Sequence, residues 1–487
     1  MSQIKKLAGQ TVIYGLSTMV GRFLNYLLII IHTPALKPFL YGKLTFFYSN
    51  TAIFLALLTF GMETGFFRFA SKKDEDYNKV LGTSLFTIIA TSTIFILSSF
   101  ILRNQWQSYF EIDSYRLVIY FVLILSFDVL SAIPFAKLRI DERPIKFMFI
   151  KLAGIAVNIF INVFYLVLCR NLYEAGSESF FASIYNPEYA LDYVLIANLV
   201  GSGITLLILL PEILKVKPQL DFSLLKRLLK YSFPILLIGL AGQLNDQIGN
   251  ILIPKLINDP NPMSQLGIYG ANFKLSVLMV LFIQMFRYAA EPFFFKNSES
   301  SEAKKLYADV MNYFIIFGLI IFLGVVFYID ILKYFIDKDF WPGLHVVPIL
   351  LVAKLLFGIL FSLSIWYKVT DKTKYGILIA GIGAIITVIL NIVLLPRIGY
   401  VGSAIASLLS YAIMLGVSYY LSTRHYFIKY DFKKISFYLI LAFALFGINR
   451  IIRIENQVIF LIINTFMLLT FVGIAFYKEK KHFRNEN

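Results

Sequence analysis

The chain has 487 residues, of which 59% are hydrophobic and 15% are charged, and its mean hydropathy is +0.75. This composition excludes an ordinary soluble protein and predicts an all-α integral membrane protein with many spans. The net charge of +16 does not indicate nucleic-acid binding, because the basic residues alternate between loops instead of clustering on one soluble face. One cysteine, Cys169, excludes an internal disulfide and a cysteine-based metal cluster, and no metal site is predicted.

Fourteen apolar stretches are about the length that a membrane-crossing helix needs, although the thirteenth is short. The first stretch is longer than the core of a signal peptide, so we interpret it as a retained helix. Helices are favoured over a barrel because the alternating pattern of barrel strands is absent. The predicted spans are residues 11–33, 44–69, 80–102, 117–136, 149–169, 191–213, 233–256, 266–292, 308–329, 346–367, 375–395, 401–421, 435–449 and 457–477.

Lysine and arginine concentrate in the loops that would share one side of the membrane with both termini. KLRIDERPIKFMFIK and the tail YKEKKHFRNEN belong to this side, whereas the acidic loop CRNLYEAGSESFFASIYNPEYALD belongs to the other. Because basic loops remain in the cytoplasm, this asymmetry predicts cytoplasmic N- and C-termini and an even number of spans.

A segment near the N-terminus recurs about 225 residues later. YGKLTFF and the residues after it align without gaps on YGANFKL, and the preceding helices also match. Duplicated halves with polar residues at corresponding depths favour a transporter built from two repeats. The aligned pairs are Gly42 with Gly267, Phe69 with Phe294, Gly21 with Gly242, Arg22 with Gln243, and Asn25 with Asp246.

Basic residues are predicted within the spans, where an unpaired charge is expensive. Arg22 lies about eleven residues into the first span, roughly 16 Å deep, and must face a wet or paired interior. Contact with a substrate and a structural pair with a neighbour such as Asp128 both remain open. Lys274 and Arg287 lie in the eighth span, and the same two roles remain open for them.

Acidic residues also lie within the predicted spans. Asp128 and Asp246 are deep in the fourth and seventh spans, where each would serve as a proton or sodium switch or as half of a fixed ion pair. Glu63 and Glu291 lie about one turn from the predicted cytoplasmic face, where a gate pair with an arginine is conceivable. The residues alone do not select between these roles.

Several segments resemble helices of the Wzx-type polysaccharide and O-antigen flippases, members of the multidrug/oligosaccharidyl-lipid/polysaccharide (MOP) exporter superfamily. KKLAGQTVIYGLSTMVGRFLNYLLI, LLTFGMETGFFRF, LLKYSFPILLIGLAGQLNDQIGNILI and LGIYGANFKLSVLM are similar to the first, second, seventh and eighth helices, and GYVGSAIASLLSYAIM to the twelfth. The resemblance covers nearly the whole chain. It implies two pseudo-symmetric six-helix lobes, residues 1–215 and 216–425, followed by two helices and a cytoplasmic tail in residues 426–487.

The resemblance further implies a transporter, not an enzyme, in the bacterial cytoplasmic membrane. Such a flippase moves an undecaprenyl-diphosphate-linked oligosaccharide from the inner to the outer leaflet by alternating access, for O-antigen, capsule or exopolysaccharide synthesis. The expected partners are the lipid bilayer, a polysaccharide polymerase and chain-length machinery, with no nucleic acid. No cofactor is expected beyond coupling to Na⁺ or H⁺. The predicted substrate-binding residues are Arg22, Lys274, Arg287, Asn25 and Gln243, and the predicted ion-coupling or gate residues are Asp246, Glu63, Asp128 and Glu291.

Two alternatives remain open. A multidrug or organic-cation antiporter of the same superfamily would share the fold, but its cavity should be dominated by acids. A membrane glycan polymerase or ligase should carry acids, histidines or arginines on a sizeable outer loop, yet the longest such loop, around residues 170–190, contains no histidine. No GxxxxGK[ST] phosphate loop is present, so the chain is not expected to hydrolyse a nucleotide.

Overall fold

The computed structural model describes residues 3–72, 74–112, 114–216, 219–298, 300–452 and 454–486. Within these ranges the regular structure is helical and no strand occurs, which confirms the all-α prediction. The chain divides into two compact units, Met1–Gly267 and Ile268–Asn487, and each is described by itself. The lobe boundaries at residues 215 and 425 stay a prediction.

The first unit contains eleven α-helices within the described ranges and the start of a twelfth. A π-helical turn, Phe164–Cys169, follows the seventh helix, and a 3₁₀ turn, Pro187–Tyr189, precedes the tenth. The helices are α1 Gln3–Leu27, α2 Ile29–Thr59, α3 Met62–Ala70, α4 Tyr77–Ile101, α5 Arg103–Phe110, α6 Tyr115–Ile140, α7 Pro144–Val163, α8 Arg170–Glu174, α9 Phe180–Ser183, α10 Ala190–Leu214, α11 Phe222–Leu256 and α12 Pro262–Leu275, whose last turns belong to the second unit.

The second unit contains nine further α-helices within the described ranges and two 3₁₀ segments, Lys333–Phe335 and Lys338–Val346. Its two C-terminal helices pack against the first long helix that follows α13, where the Asn464 side chain donates to the Phe327 carbonyl oxygen at 2.8 Å. The helices are α13 Val277–Lys296, α14 Ala303–Phe327, α15 Ile329–Leu332, α16 Val347–Leu363, α17 Ile365–Val369, α18 Lys374–Ile398, α19 Val401–His425, α20 Phe432–Ile451 and α21 Gln457–Glu486.

Twelve helical stretches of the described chain are long and apolar enough to cross a membrane. They account for the predicted spans except the first and the seventh, which fall on α1 with the start of α2 and on α11. The chain is therefore a multi-pass membrane protein, and the count of fourteen spans stays a prediction. Asp side chains begin two of the long helices: Asp76 accepts from the Asn78 backbone N–H at 2.8 Å, and Asp221 accepts from that of Ser223 at 2.9 Å.

Helical backbone is interrupted once before the second predicted span and once within it. Lys37 has φ 52° and ψ 168°, and this residue separates the first and second spans within α2 because the following Pro38 disfavours helical backbone before it. Phe60 and Gly61, with φ of 52° and 64°, separate α2 from α3. Left-handed backbone is sterically costly for a residue with a side chain, and at this break α2 ends and the nine-residue helix α3 begins.

The repeat recurs as a reciprocal contact within the first unit. A Cβ on Gly42 would overlap the Met263 carbonyl oxygen, and a Cβ on Gly267 would overlap the Pro38 carbonyl oxygen. Gly42 aligns with Gly267 in the sequence repeat, and the same offset aligns Pro38 with Met263. Corresponding residues therefore make the same backbone approach from both sides, and only glycine permits it at either position.

Candidate functional site

Four polar side chains connect three helices inside the first unit. Asn158 on α7 donates from Nδ2 to Asn198 Oδ1 on α10 at 3.0 Å, and Asn162 donates to Asn158 Oδ1 at 2.7 Å. The buried His32 ring on α2 donates from Nε2 to Asn162 Oδ1 at 2.7 Å. Amide hydrogen bonds between helices stabilise packing in lipid, where an unpaired polar group has no water to bind. We call these four residues the amide seam.

Glycines let α7 and α10, two of the three helices joined by the amide seam, approach each other. A Cβ on Gly154 of α7 would lie 2.9 Å from the Gly201 carbonyl oxygen, and a Cβ on Gly201 of α10 would lie 2.8 Å from the Gly154 carbonyl oxygen. Side chains at either position would push the helices apart, so the small residues fix the distance at which Asn158 reaches Asn198.

A cavity of about 380 Å³ lies beside the seam, within the first unit. This volume is in the range of ligand pockets, and eight of the thirteen lining residues have polar or charged side chains. The cavity reaches the exposed face of α1 at Asn25. Its lining residues are Asn25, Leu55, Asp128, Ser131, Phe135, Lys151, Gly154, Ile155, Asn158, Asn198, Gly201, Ser202 and Thr205.

Two of the lining side chains carry charge. Asp128 on α6 accepts a hydrogen bond from Ser202 Oγ on α10 at 2.8 Å. The Lys151 ammonium on α7 lies over the rings of Phe135 and Phe147, 5.8 and 5.4 Å from their centroids. Both charges lie within candidate spans, where a charged group normally faces a wet or functional interior.

Arg22 and Asn25 reach this region because α1 packs on α7. A Cβ on Gly21 would overlap the Ile155 side chain, so the helices are in contact one turn from Lys151. Arg22 is exposed, lies one turn before Asn25, and interacts electrostatically with Lys151. The alternative pairing of Arg22 with Asp128 is not made within the described chain, where the hydrogen bond to Asp128 comes from Ser202.

The predicted residues of α11 also belong to the first unit. Asp246 is exposed and Gln243 is half-buried. Asp246 and Arg22 both interact electrostatically with the Tyr26 hydroxyl of α1, which places them in one neighbourhood. The predicted residues Arg22, Asn25, Asp128 and Asp246 are therefore grouped around α1.

Glu63 forms an ion pair with an arginine, the type of partner that its position near the predicted cytoplasmic face made conceivable. Its carboxylate forms an ion pair with Arg139 at the end of α6, and the Arg139 guanidinium lies over the Phe67 ring, 4.8 Å from its centroid. Both charged side chains are partly exposed. The pair ties α3, the short helix after the Phe60–Gly61 break, to α6.

The other predicted residues lie in the second unit. Lys274 is half-buried in the last turn of α12. The exposed Arg287 places its guanidinium 4.7 Å from the centroid of the Phe361 ring, and Glu291 forms an ion pair with Lys368 at 2.8 Å. The partner of Glu291 is therefore a lysine, whereas its position near the predicted cytoplasmic face made a pair with an arginine conceivable.

Sequence reasoning missed Lys151 and Arg139. The sequence predicts that the basic segment from Lys137 to Lys151 is a loop that reaches the edge of a span beginning at residue 149. In the structure α7 begins at Pro144, so Lys151 lies about two turns inside the helix. Proline is favoured in the first turn of a helix, and this preference at Pro144 was the signal that would have found it.

Comparisons with known proteins agree with this architecture. The model of a family described as "Polysaccharide biosynthesis protein" matches residues 7–298. The fold is similar to that of the lipid II flippase MurJ in its inward closed conformation, with a TM-score of 0.75, 16% identity, and coverage of 96% of this chain and 99% of that chain. A search of curated protein sequences gives no match.

The fold also resembles solved multidrug transporters. The MATE multidrug transporter DinF-BH has a TM-score of 0.60 at 17% identity, over 88% of this chain and 98% of that chain. An inward-facing MATE family transporter of the MOP superfamily has a TM-score of 0.59 at 13% identity, over 85% and 94% of the two chains. These likenesses show the fold alone, and they confirm the predicted MOP-type helical architecture.

Proposed function

Because the chain belongs to the polysaccharide biosynthesis protein family, we propose that it is a flippase for an undecaprenyl-diphosphate-linked oligosaccharide. The oligosaccharide moves from the inner to the outer leaflet of the cytoplasmic membrane by alternating access, and supplies O-antigen, capsule or exopolysaccharide synthesis. Both termini lie in the cytoplasm, and a polymerase with its chain-length machinery takes up the product. The chain catalyses no covalent step.

The observation that best supports this proposal is the pair of cations Arg22 and Lys151 beside a polar cavity inside membrane-spanning helices. A lipid diphosphate cannot cross bare hydrocarbon, because its charges would lose their hydration. Cationic and amide side chains replace that hydration, while the polyprenyl tail stays in lipid. In this proposal Arg22, Asn25 and Gln243 of the first unit are substrate-binding residues, and so, within the second unit, are Lys274 and Arg287.

Directional transport needs an energy source. The acids Asp246, Asp128, Glu63 and Glu291 are proposed for ion coupling or gating, with Na⁺, H⁺ or the membrane potential as the driving force. Each elementary charge that moves across the potential contributes about 2.3 kcal/mol per 100 mV. Among the described residues no cluster of three or more His, Cys, Asp or Glu side chains is arranged to hold a metal ion.

Replacing Arg22 tests the proposal. In cells that lack their own copy of the gene, the variant Arg22→Ala should reduce surface glycan by about tenfold, the effect of losing one charge-assisted contact to the substrate. Arg68→Ala is the matched control, because Arg68 is an exposed arginine of the same unit and lies on α3. Surface glycan is measured at matched protein level in the membrane. Undiminished glycan with Arg22→Ala would exclude Arg22 from substrate binding.

The organic-cation antiporter is assessed in the same cells. A site for organic cations should be rich in acids, whereas the cavity of the first unit is lined by one acid, Asp128, and one base, Lys151. Loss of an antiporter would lower resistance to cationic dyes and leave surface glycan unaltered. Loss of a flippase would instead reduce surface glycan and leave resistance to cationic dyes unaltered.

A further inference from the structure

The first three turns of α11 carry three basic side chains, and one of them has a carboxylate partner. Arg227 forms an ion pair with Glu75, and its guanidinium lies 5.9 Å from the centroid of the Phe69 ring. Lys226 and Lys230 are exposed and form no hydrogen bond, ion pair or ring contact with a described residue. Two like charges four residues apart on a helix repel each other, so an external anion would stabilise this pair.

The face of α11 that carries the two lysines also carries exposed apolar side chains. Leu224 and Leu228, on the other face, are buried. Steps of three or four residues place the lysines on one stripe with Phe222, Phe233 and Leu237, which are 75%, 50% and 43% exposed. Large apolar side chains that remain exposed along a membrane-spanning helix face hydrocarbon, so this surface of α11 faces lipid.

The two lysines lie at a depth where lipid head groups are found. The stretch from Phe222 to Phe233 rises about 16 Å along the helix axis and ends at the first residue of the seventh predicted span. Aromatic side chains are enriched where hydrocarbon meets water, and lysines at this level extend their ammonium groups toward the head groups. The nearby carboxylate of Asp221 is engaged, because it accepts from the Leu224 backbone N–H at 3.0 Å.

An anionic phospholipid complements both parts of this surface. Its negatively charged head group matches the two ammonium groups, and its acyl chains match the side chains of Phe233 and Leu237. A free phosphate ion would contact only the lysines and would leave the apolar part uncovered. The combination of charge and exposed apolar side chains on one stripe therefore favours a lipid over a soluble anion.

We propose that this stripe, made by Phe222, Lys226, Lys230, Phe233 and Leu237, binds an anionic phospholipid of the inner leaflet. Both lysines contact the head group, and the bound lipid holds the start of α11 at the membrane surface. The choice of leaflet rests on the cytoplasmic orientation in the proposed function. The binding surface itself rests on the unpaired lysines and on the apolar side chains beside them.

Quenching of tryptophan fluorescence by brominated phospholipids tests the proposal at this surface. In Phe233→Trp the reporter replaces one exposed aromatic side chain by another, and the signal of the three native tryptophans is subtracted with the chain that keeps Phe233. The full-length chain is reconstituted in phosphatidylcholine vesicles that contain brominated phosphatidylcholine or brominated phosphatidylglycerol. Phosphatidylglycerol should bind about 25-fold more tightly, at about fivefold for each lysine.

Two variants of the reporter chain separate charge recognition from damage to the fold. Lys226→Gln with Lys230→Gln should abolish the preference for phosphatidylglycerol and leave quenching by phosphatidylcholine unaltered, whereas Lys226→Arg with Lys230→Arg should retain the preference. The preference should also shrink at high salt. Arg103→Gln with Lys338→Gln is the matched control, because it removes the same charge from exposed residues on the predicted opposite side and should leave the preference unaltered.

Several outcomes would overturn the proposal. Equal affinity of the reporter chain for the two phospholipids, or an equal loss of preference in the control variant, would show that the stripe does not recognise the head group. Displacement of brominated phosphatidylglycerol by a small amount of undecaprenyl phosphate, or by inorganic phosphate at constant ionic strength, would assign the stripe to another anion. The assay measures no transport, so a chain that supports no surface glycan would refute the flippase and leave this result unchanged.

Discussion

The amide seam of the first unit has a counterpart in the second unit. On α7 Asn162 donates to the carbonyl oxygen of Asn158 at 2.9 Å, and on α18 Asn391 donates to that of Thr387 at 2.8 Å. In both units the side chain of the residue four positions before the asparagine donates a hydrogen bond to the next long helix. Asn158 donates to Asn198 on α10, and Thr387 donates to Ser410 Oγ on α19 at 2.7 Å.

The two seams differ in what else the asparagine binds. Asn162 Oδ1 accepts from His32, so the first seam includes a third helix, α2. Asn391 Oδ1 is buried without a hydrogen-bond partner among the described residues. The duplicated halves thus share the contact that pairs two helices, whereas only the first half uses the amide to attach another. The first seam also borders the polar cavity, where Asn158 and Asn198 are part of the lining.

The two aligned repeat segments should respond equally at the reciprocal glycine contact, which lies within the first unit. Gly42→Ala and Gly267→Ala each place a Cβ against a backbone carbonyl that cannot move without its helix. Each substitution should lower the free energy of unfolding by about 3 kcal/mol, the upper end of the usual cost of overpacking. Thermal unfolding of the purified chain in detergent measures the loss.

Gly242→Ala is the control for this pair. A Cβ on Gly242 meets no atom within 4 Å, and alanine is a better helix former than glycine, so the variant should be neutral or slightly stabilised. A large loss for Gly42→Ala with none for Gly267→Ala would show that the two repeat segments do not contribute equally to the contact.

The fold could be predicted from the sequence because its main determinants are local. Apolar runs locate the spans, and the repeat alignment correctly matched Gly42 with Gly267, which make equivalent contacts. The contacts of the candidate site, in contrast, join residues that lie far apart in the sequence. Ser202 lies far along the chain from Asp128, and no pattern in either segment indicates that the two helices face each other. Depth along a span does not determine which neighbour a charged side chain meets.

The same limit applied to the ion pairs. The position of Glu63 predicted a basic partner near one end of its span, but Arg139 was one of many basic residues in the following loops. For Glu291 the partner is a lysine, Lys368, where the position of Glu291 had made an arginine conceivable. The position of an acid within its span indicates that a partner is needed, whereas the packing of the helices determines which residue supplies it.

Substitution of the two asparagines should separate the seams. Asn162→Leu removes hydrogen bonds to Asn158 and His32 and leaves buried polar atoms behind, so it should lower the free energy of unfolding by about 1–2 kcal/mol. Asn391→Leu also removes an oxygen that has no described partner, so its cost should be less than about 0.5 kcal/mol. Thermal unfolding in detergent compares the two variants. Equal losses would contradict the distinction between the seams.

The smallest expected difference concerns the ion pairs Glu63–Arg139 and Glu291–Lys368, because their carboxylates are each 41% exposed. Glu63→Gln and Glu291→Gln should each lower the free energy of unfolding by about 0.5–1 kcal/mol. The loss should be greater for Glu63, because its pair attaches the short helix α3 beyond the Phe60–Gly61 break, whereas Glu291 belongs to the longer helix α13.

Exchanging the charges isolates the ion pair from the individual side chains. In the double variant Glu63→Arg with Arg139→Glu the pair can re-form, so most of the stability lost in either single variant should return. Thermal unfolding in detergent at low and high salt measures this recovery, which should shrink as salt screens the partly exposed charges. If the double variant loses as much stability as the two single variants lose together, Glu63 does not stabilise the protein through its attraction to Arg139.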